Sequence, residues 1–226
     1  MCGIVGLHLK NPALEPELGR LFVPMLEAMT SRGPDSAGLA TYDAEGMHVI
    51  KDVGLPRDIC AAHDIAARSG HQAVGHTRMA TESAVTSDHA HPFTPLADLA
   101  LVHNGSFSNH ASIRRTLARQ GIACTTDNDS EVAARFIARE LTEGADLEDA
   151  MRSVLKEFDG FFTLLVTSGT QFAVLRDSFA CKPAVIAETA DYVAMASEYH
   201  ALAELPGIGD ARIVEPEPER VYAWSR

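Results

Sequence analysis

Three times along its 226 residues the chain places two short apolar runs on either side of a brief polar turn. Residues 38–42 and 47–53 flank Asp43-Ala44-Glu45-Gly46, residues 161–167 and 172–175 flank Ser168-Gly169-Thr170, and 184–188 and 192–196 make the third pair. Runs of that length around turn-forming residues predict β-hairpins, and so antiparallel sheet. Further strands are expected over 3–9, 73–78 and 99–103, the last ending in Asn104-Gly105, with strand-like ends near Ile213 and Trp224. Leu18, Leu21, Phe22, Met25, Leu26 and Met29 recur at helical spacing. Other helices are expected over 58–69, 111–120, 131–141, 147–157 and 198–204, with Asp127-Asn128-Asp129-Ser130 offering caps. Strands and helices do not alternate strictly, which argues against a doubly wound parallel sheet. An α+β fold with mainly antiparallel sheets covered by helices is expected instead. No internal repeat or linker interrupts the chain, so 1–226 reads as a single domain.

Bulk properties narrow the partners. A net charge of −12 repels phosphate backbones, so no nucleic-acid partner is expected. No apolar run is long enough for a bilayer and no secretory signal opens the chain, so a cytoplasmic protein with no membrane association is expected. The four cysteines, Cys2, Cys60, Cys124 and Cys181, are widely spaced. They suggest no disulfide framework, and three of them are expected as small core residues.

Cys2 differs because of its place. Once Met1 is removed, its thiol shares a residue with a free α-amine. A thiol of pKa about 8.5 is mostly protonated at neutral pH, whereas an amine near 7.7–8.0 can accept or relay its proton. One residue can thus carry both nucleophile and base. Gly3 removes a side chain beside the reacting centre and lets backbone approach a substrate. Taken alone, Cys2 also reads as a small hydrophobe starting a strand.

Met1-Cys2-Gly3-Ile4-Val5-Gly6 resembles the opening of class II glutamine amidotransferases, the family of glucosamine-6-phosphate synthase, amidophosphoribosyltransferase, asparagine synthetase B and the amidotransferase part of glutamate synthase. Four more blocks follow in that family's order: Arg32-Gly33-Pro34-Asp35-Ser36, Gly75-His76-Thr77-Arg78-Met79-Ala80-Thr81, His103-Asn104-Gly105 and Asn128-Asp129-Ser130-Glu131. The resemblance covers nearly the whole chain. It implies the Ntn-hydrolase αββα four-layer sandwich, two mainly antiparallel sheets between helical layers.

The same resemblance distributes roles. Cys2 is the nucleophile, and the Asn104 amide and Gly105 N–H form the oxyanion hole. Arg78 binds the α-carboxylate of L-glutamine and Asp129 its α-ammonium, with Thr81 and His103 placed in the substrate-binding set and Gly3 and Arg32 supporting Cys2. Each block has a plainer meaning alone: a helix-ending turn with a solvated Arg32, a surface Arg78 at a strand end, an Asn-Gly turn, and a helix N-cap at Asp129 or Ser130. Met79, Glu82 and Ser83 depart from better-known members, which follow this arginine with Trp and continue with His-Gly. Asn128 stands where Ser is more usual.

Two rival readings remain. Asp88-His89-Ala90-His91 has a spacing that can ligate zinc, which would suit a metal-dependent hydrolase. No second ligand cluster accompanies it, and no metal site is assigned. A catalytically silent regulatory subunit of the same fold is the other. Class II enzymes usually carry a synthase domain that consumes the ammonia, and the length leaves no room for one. A separate synthase subunit is therefore expected. The segment 77–85 and the length resemble the small subunit of glutamate-synthase-like N-methylglutamate synthase systems. In such assemblies flavin and iron–sulfur clusters sit on other subunits, so no cofactor is expected on this chain.

Overall fold

Residues 3–9 are all buried because they run through the middle of a sheet, with a neighbouring strand on each side. In the computed structural model, which describes residues 2–79 and 85–226, the strands are β1 (Gly3–Leu9), β2 (Ser36–Asp43), β3 (Gly46–Val53), β4 (Gln72–Arg78), β5 (Phe93–Leu96) and β6 (Leu99–Phe107). They continue as β7 (Gly160–Thr167), β8 (Gln171–Arg176), β9 (Val185–Glu188), β10 (Tyr192–Ala196), β11 (Arg212–Val214) and β12 (Tyr222–Ser225). The α-helices among the described residues are α1 (Leu18–Ala28), α2 (Pro56–Ala62), α3 (His110–Arg119), α4 (Asp129–Thr142) and α5 (Leu147–Glu157).

The chain divides into two compact units. The first, Met1–Pro92 with Pro183–Glu215, holds a sheet in the order β11-β9-β10-β1-β4-β2-β3. Every neighbouring pair in it is antiparallel. Alternation along β1 sends Val5, Leu7 and Leu9 to one face, where they pack with Leu18, Phe22, Met25 and Leu26 of α1. That stripe recurs at three- and four-residue steps, the period of a helix lying on a sheet. A Cβ on residue 75 would stand 2.8 Å from the Phe22 ring, so Gly75 sets how closely α1 can lie.

The second unit, Phe93–Lys182 with Pro216–Arg226, holds a sheet in the order β12-β8-β7-β6-β5. Its pairs are antiparallel too. Leu101, Phe107, Leu164, Val166, Ala173 and Leu175 meet Val132, Phe136 and Ile137 of α4 and Met151 and Val154 of α5 in one core. α4 begins at Asp129, because the Asn128 side chain accepts the Ser130 N–H at 2.9 Å and caps it.

The three hairpins form as the pattern predicts. Several local expectations change. The helix expected over 58–69 is α2 followed by a separate 3₁₀ turn at Ile65–Ala67, split at Asp64, whose φ is +50°. The helix expected over 198–204 is only a 3₁₀ turn at Tyr199–Ala201. Asn128, not Asp129 or Ser130, is the cap of α4. The strand expected to end at Asn104-Gly105 runs on to Phe107, so this Asn-Gly is no turn. Its ladder to β7 continues through Asn104↔Thr163 and Gly105↔Phe162, which holds both residues in extended chain. Of the three cysteines expected in cores, Cys60 is buried, Cys124 is half-buried and Cys181 is exposed.

Candidate active site

In the first unit, β1 and β4 pair so that Gly3 lies opposite Thr77, which sets Cys2 at the same sheet end as Arg78. A side chain at residue 3 has no room: its Cβ would come within 2.7 Å of both Met29 Cβ and Thr77 Oγ1. Arg32, 8% exposed, donates through Nε to the Cys2 carbonyl at 2.9 Å. Its Nη1 reaches the Glu198 carboxylate at 2.5 Å. It is not the solvated arginine that the turn alone suggested. Gly33 follows because a Cβ there would lie 2.5 Å from the Arg78 backbone nitrogen. Asp35 then donates its N–H to the Arg78 carbonyl at 3.1 Å, so the Arg32–Ser36 block is stitched onto the end of β4. Arg78 is 5% exposed, which rules out a plain surface charge. Thr81 lies outside the described residues, as do Met1, Glu82 and Ser83.

The second unit gathers the remaining candidates. His103, Asn104 and Gly105 sit consecutively on β6. Asn104 is 3% exposed, and its buried Nδ2 has no hydrogen-bond partner among the described residues. A buried amide N–H₂ left so costs about 1–3 kcal/mol, which makes it a donor waiting for an acceptor. Gly105 has φ +151°, and a Cβ there would stand 2.1 Å from the Phe161 carbonyl, so only glycine can occupy it.

Asp129 opens α4. Its Oδ2 accepts the Phe107 N–H at 2.9 Å and its Oδ1 accepts the Ser130 hydroxyl at 3.2 Å. The same hydroxyl oxygen lies 2.7 Å from His103 Nδ1, so Ser130 links the imidazole to the Asp129 carboxylate. Burial holds the imidazole below its ordinary pKa; Asp129 opposes that shift and Lys182 adds to it. The result is a neutral His103 bonded through Ser130 to a carboxylate.

Two carboxylates that no block singled out for a role prove structural to these clusters. Glu198 anchors Arg32. Glu131 accepts the backbone N–H groups of Thr125 and Thr126 together with their hydroxyls. Burial raises its pKa, and these donors together bring it below the usual carboxylate range. Arg114 of α3 donates to the carbonyls of Thr126 and Asn128, closing the loop that presents Asp129. Sequence carried a signal for Glu131, its place in the Asn128–Glu131 block, and none that paired Glu198 with Arg32.

His91 is buried and stacks on His76 at 3.9 Å, while His89 Nδ1 meets Thr86 Oγ1 at 2.8 Å. Among the described residues no three His, Cys, Asp or Glu side chains gather to hold a metal. Nor does any described helix have the length and apolarity to cross a membrane.

Two antiparallel sheets with their helices, one opening on Cys2 and the other carrying His103-Asn104-Gly105, define an α+β architecture of the Ntn-hydrolase type. The glutamine amidotransferase domain family matches residues 76–204. The glutamine amidotransferase-like protein GlxB of Rhizobium meliloti is 42% identical, the match covering 99% of this chain and 98% of that protein. Amidophosphoribosyltransferase of Methanocaldococcus jannaschii is 29% identical over 91% of this chain, which spans 44% of that enzyme. The solved glutamine phosphoribosylpyrophosphate amidotransferase of B. subtilis superposes with TM-score 0.80 at 25% identity, over 99% of this chain and 49% of its own. The chain belongs to the class II glutamine amidotransferases, enzymes whose nucleophile is an N-terminal cysteine.

Proposed function

We propose that this chain hydrolyses L-glutamine to glutamate and ammonia through a thioester on Cys2, and that 1–226 acts as one glutaminase domain. Arg78 and Asp129 hold the α-carboxylate and α-ammonium of the substrate, aided by Thr81 and His103. A guanidinium grips a carboxylate bidentately, which suits Arg78 to its end of the amino acid. Cys2 Sγ attacks the side-chain amide carbon. The oxyanion that forms takes hydrogen bonds from Asn104 Nδ2 and the Gly105 N–H. The Cys2 α-amine passes a proton to the departing ammonia, and water then cleaves the thioester.

The observation that carries this reading is the Asn104 amide, a buried donor with no partner among the described residues, beside a glycine held at positive φ. Such a donor contributes most to a charge that appears only in the transition state. Arg32 on the Cys2 carbonyl supports it from the first unit.

The ammonia passes to a separate synthase subunit of the glutamate-synthase-like or N-methylglutamate synthase kind, in the cytoplasm, with any redox cofactor on that partner. The match with the glutamine amidotransferase-like protein GlxB supports the amidotransferase part of this reading.

The test is glutamate release by the purified chain, alone and with its partner, paired with intact mass. Cys2→Ala should cost at least about a thousandfold in kcat. The active wild type should lack the mass of Met1. Undiminished hydrolysis by Cys2→Ala rejects the thioester route.

A further inference from the structure

Cys2 poses a mechanical problem. As the mature first residue it is tethered on one side only, and the tether is Gly3, which adds no side chain to restrict rotation. Something besides the chain must hold it. The described contact on its backbone is the hydrogen bond from Arg32 Nε to its carbonyl, 2.9 Å long.

Arg32 is itself a long, rotamer-rich side chain, and its guanidinium is buried. A buried cation without a partner is costly and would swing toward water. Glu198 removes that option by taking Nη1 at 2.5 Å. Its Oε2 lies 3.3 Å from His200 Nδ1, and His200 Nε2–H donates to the Ala28 carbonyl at 2.9 Å. The backbone beneath is fixed as well. Ser197 Oγ accepts the Ile4 N–H at 2.9 Å, and the Ser197 N–H donates to the Ile4 carbonyl at 2.9 Å. The turn after β10 therefore grips the start of β1 at Ile4 by backbone and at Cys2 through the ion pair.

We propose that Glu198 is a positioning residue for the nucleophile, acting through Arg32 to fix the Cys2 main chain. The inference rests on Cys2 being the nucleophile. It adds that the Arg32–Glu198 ion pair sets the nucleophile's aim and leaves glutamine affinity alone.

The experiment measures alkylation of Cys2 by a diazoketone analogue of glutamine, followed by intact mass. It yields kinact and KI for wild type, Glu198→Gln, Arg32→Ala, the double variant and Cys2→Ala, with a melting temperature for each. Glu198→Gln keeps shape and one acceptor oxygen but loses the charge. We expect its kinact to fall about tenfold with KI within twofold of wild type. The double variant should match Arg32→Ala within threefold, since among the described side-chain contacts Glu198 reaches Cys2 through Arg32. Wild-type kinact in Glu198→Gln, or losses that multiply in the double variant, overturn the inference. Adduct formation on Cys2→Ala at the wild-type rate sinks the nucleophile assignment instead, so the two failures are distinct. Should Glu198→Gln not fold, Glu198→Asp replaces it: the charge stays, the shorter stem stretches the pair, and kinact should fall at least threefold.

Discussion

Asp129 accepts the backbone N–H of Phe107 at 2.9 Å, tying the first turn of α4 to the end of β6. One carboxylate thus does two jobs: it braces the fold and presents negative charge at the proposed ammonium site.

The two jobs separate by substitution. Asp129→Asn keeps an oxygen for Phe107 and should shift stability by less than about 1 kcal/mol, while KM for glutamine rises at least tenfold. Asp129→Ala also leaves the buried N–H unpaired and should lose about 1–3 kcal/mol. Urea unfolding and steady-state glutaminase kinetics on both variants check this. Equal kinetic effects with an unchanged KM would remove Asp129 from substrate binding.

Asn104 and Gly105 should respond in opposite ways. Asn104→Ala removes a buried amide nitrogen that no described group satisfies. Stability should hold or rise slightly, while kcat falls about 100- to 1000-fold, the usual loss for an oxyanion donor. Gly105→Ala meets the Phe161 carbonyl at 2.1 Å from a backbone at φ +151° and should destabilise by about 3 kcal/mol or more. Calorimetry beside activity distinguishes a lost donor from a lost fold.

His103 gives the stability a pH signature. Its folded-state pKa lies below the ordinary value of about 6.5, with burial as the main cause. In the window below about 6.5 the unfolded chain takes up a proton that the folded chain refuses, so stability falls as pH drops. The loss stops growing once pH passes the depressed folded value. Thermal melts from pH 7.5 to 5 on wild type and His103→Asn should show a steeper decline for wild type. Parallel curves would count against the shift.

The cysteines should divide by environment. Cys60 is buried and pushed up to about 11 by burial and by Glu27. Iodoacetamide at pH 7.5, read by peptide mass spectrometry, should modify exposed Cys181 at least tenfold faster than Cys60. Comparable rates would mean that the first unit opens far more often than its packing implies.

What the sequence determined by itself was element type. The hairpins at 38–53, 161–175 and 184–196 were legible because alternation and turn chemistry are written over neighbouring residues. The amidotransferase blocks were legible as residues in order. Tertiary structure decided what those residues face. Asn104-Gly105 reads locally as a turn, yet the ladder to β7 pulls it straight. Arg78 reads as a surface charge, yet it is 5% exposed in the fold. Glu198 meets Arg32 across 166 residues of chain. Local propensities act over a few residues, whereas a side chain's partner is set by strand order and register. Only the folded chain specifies those.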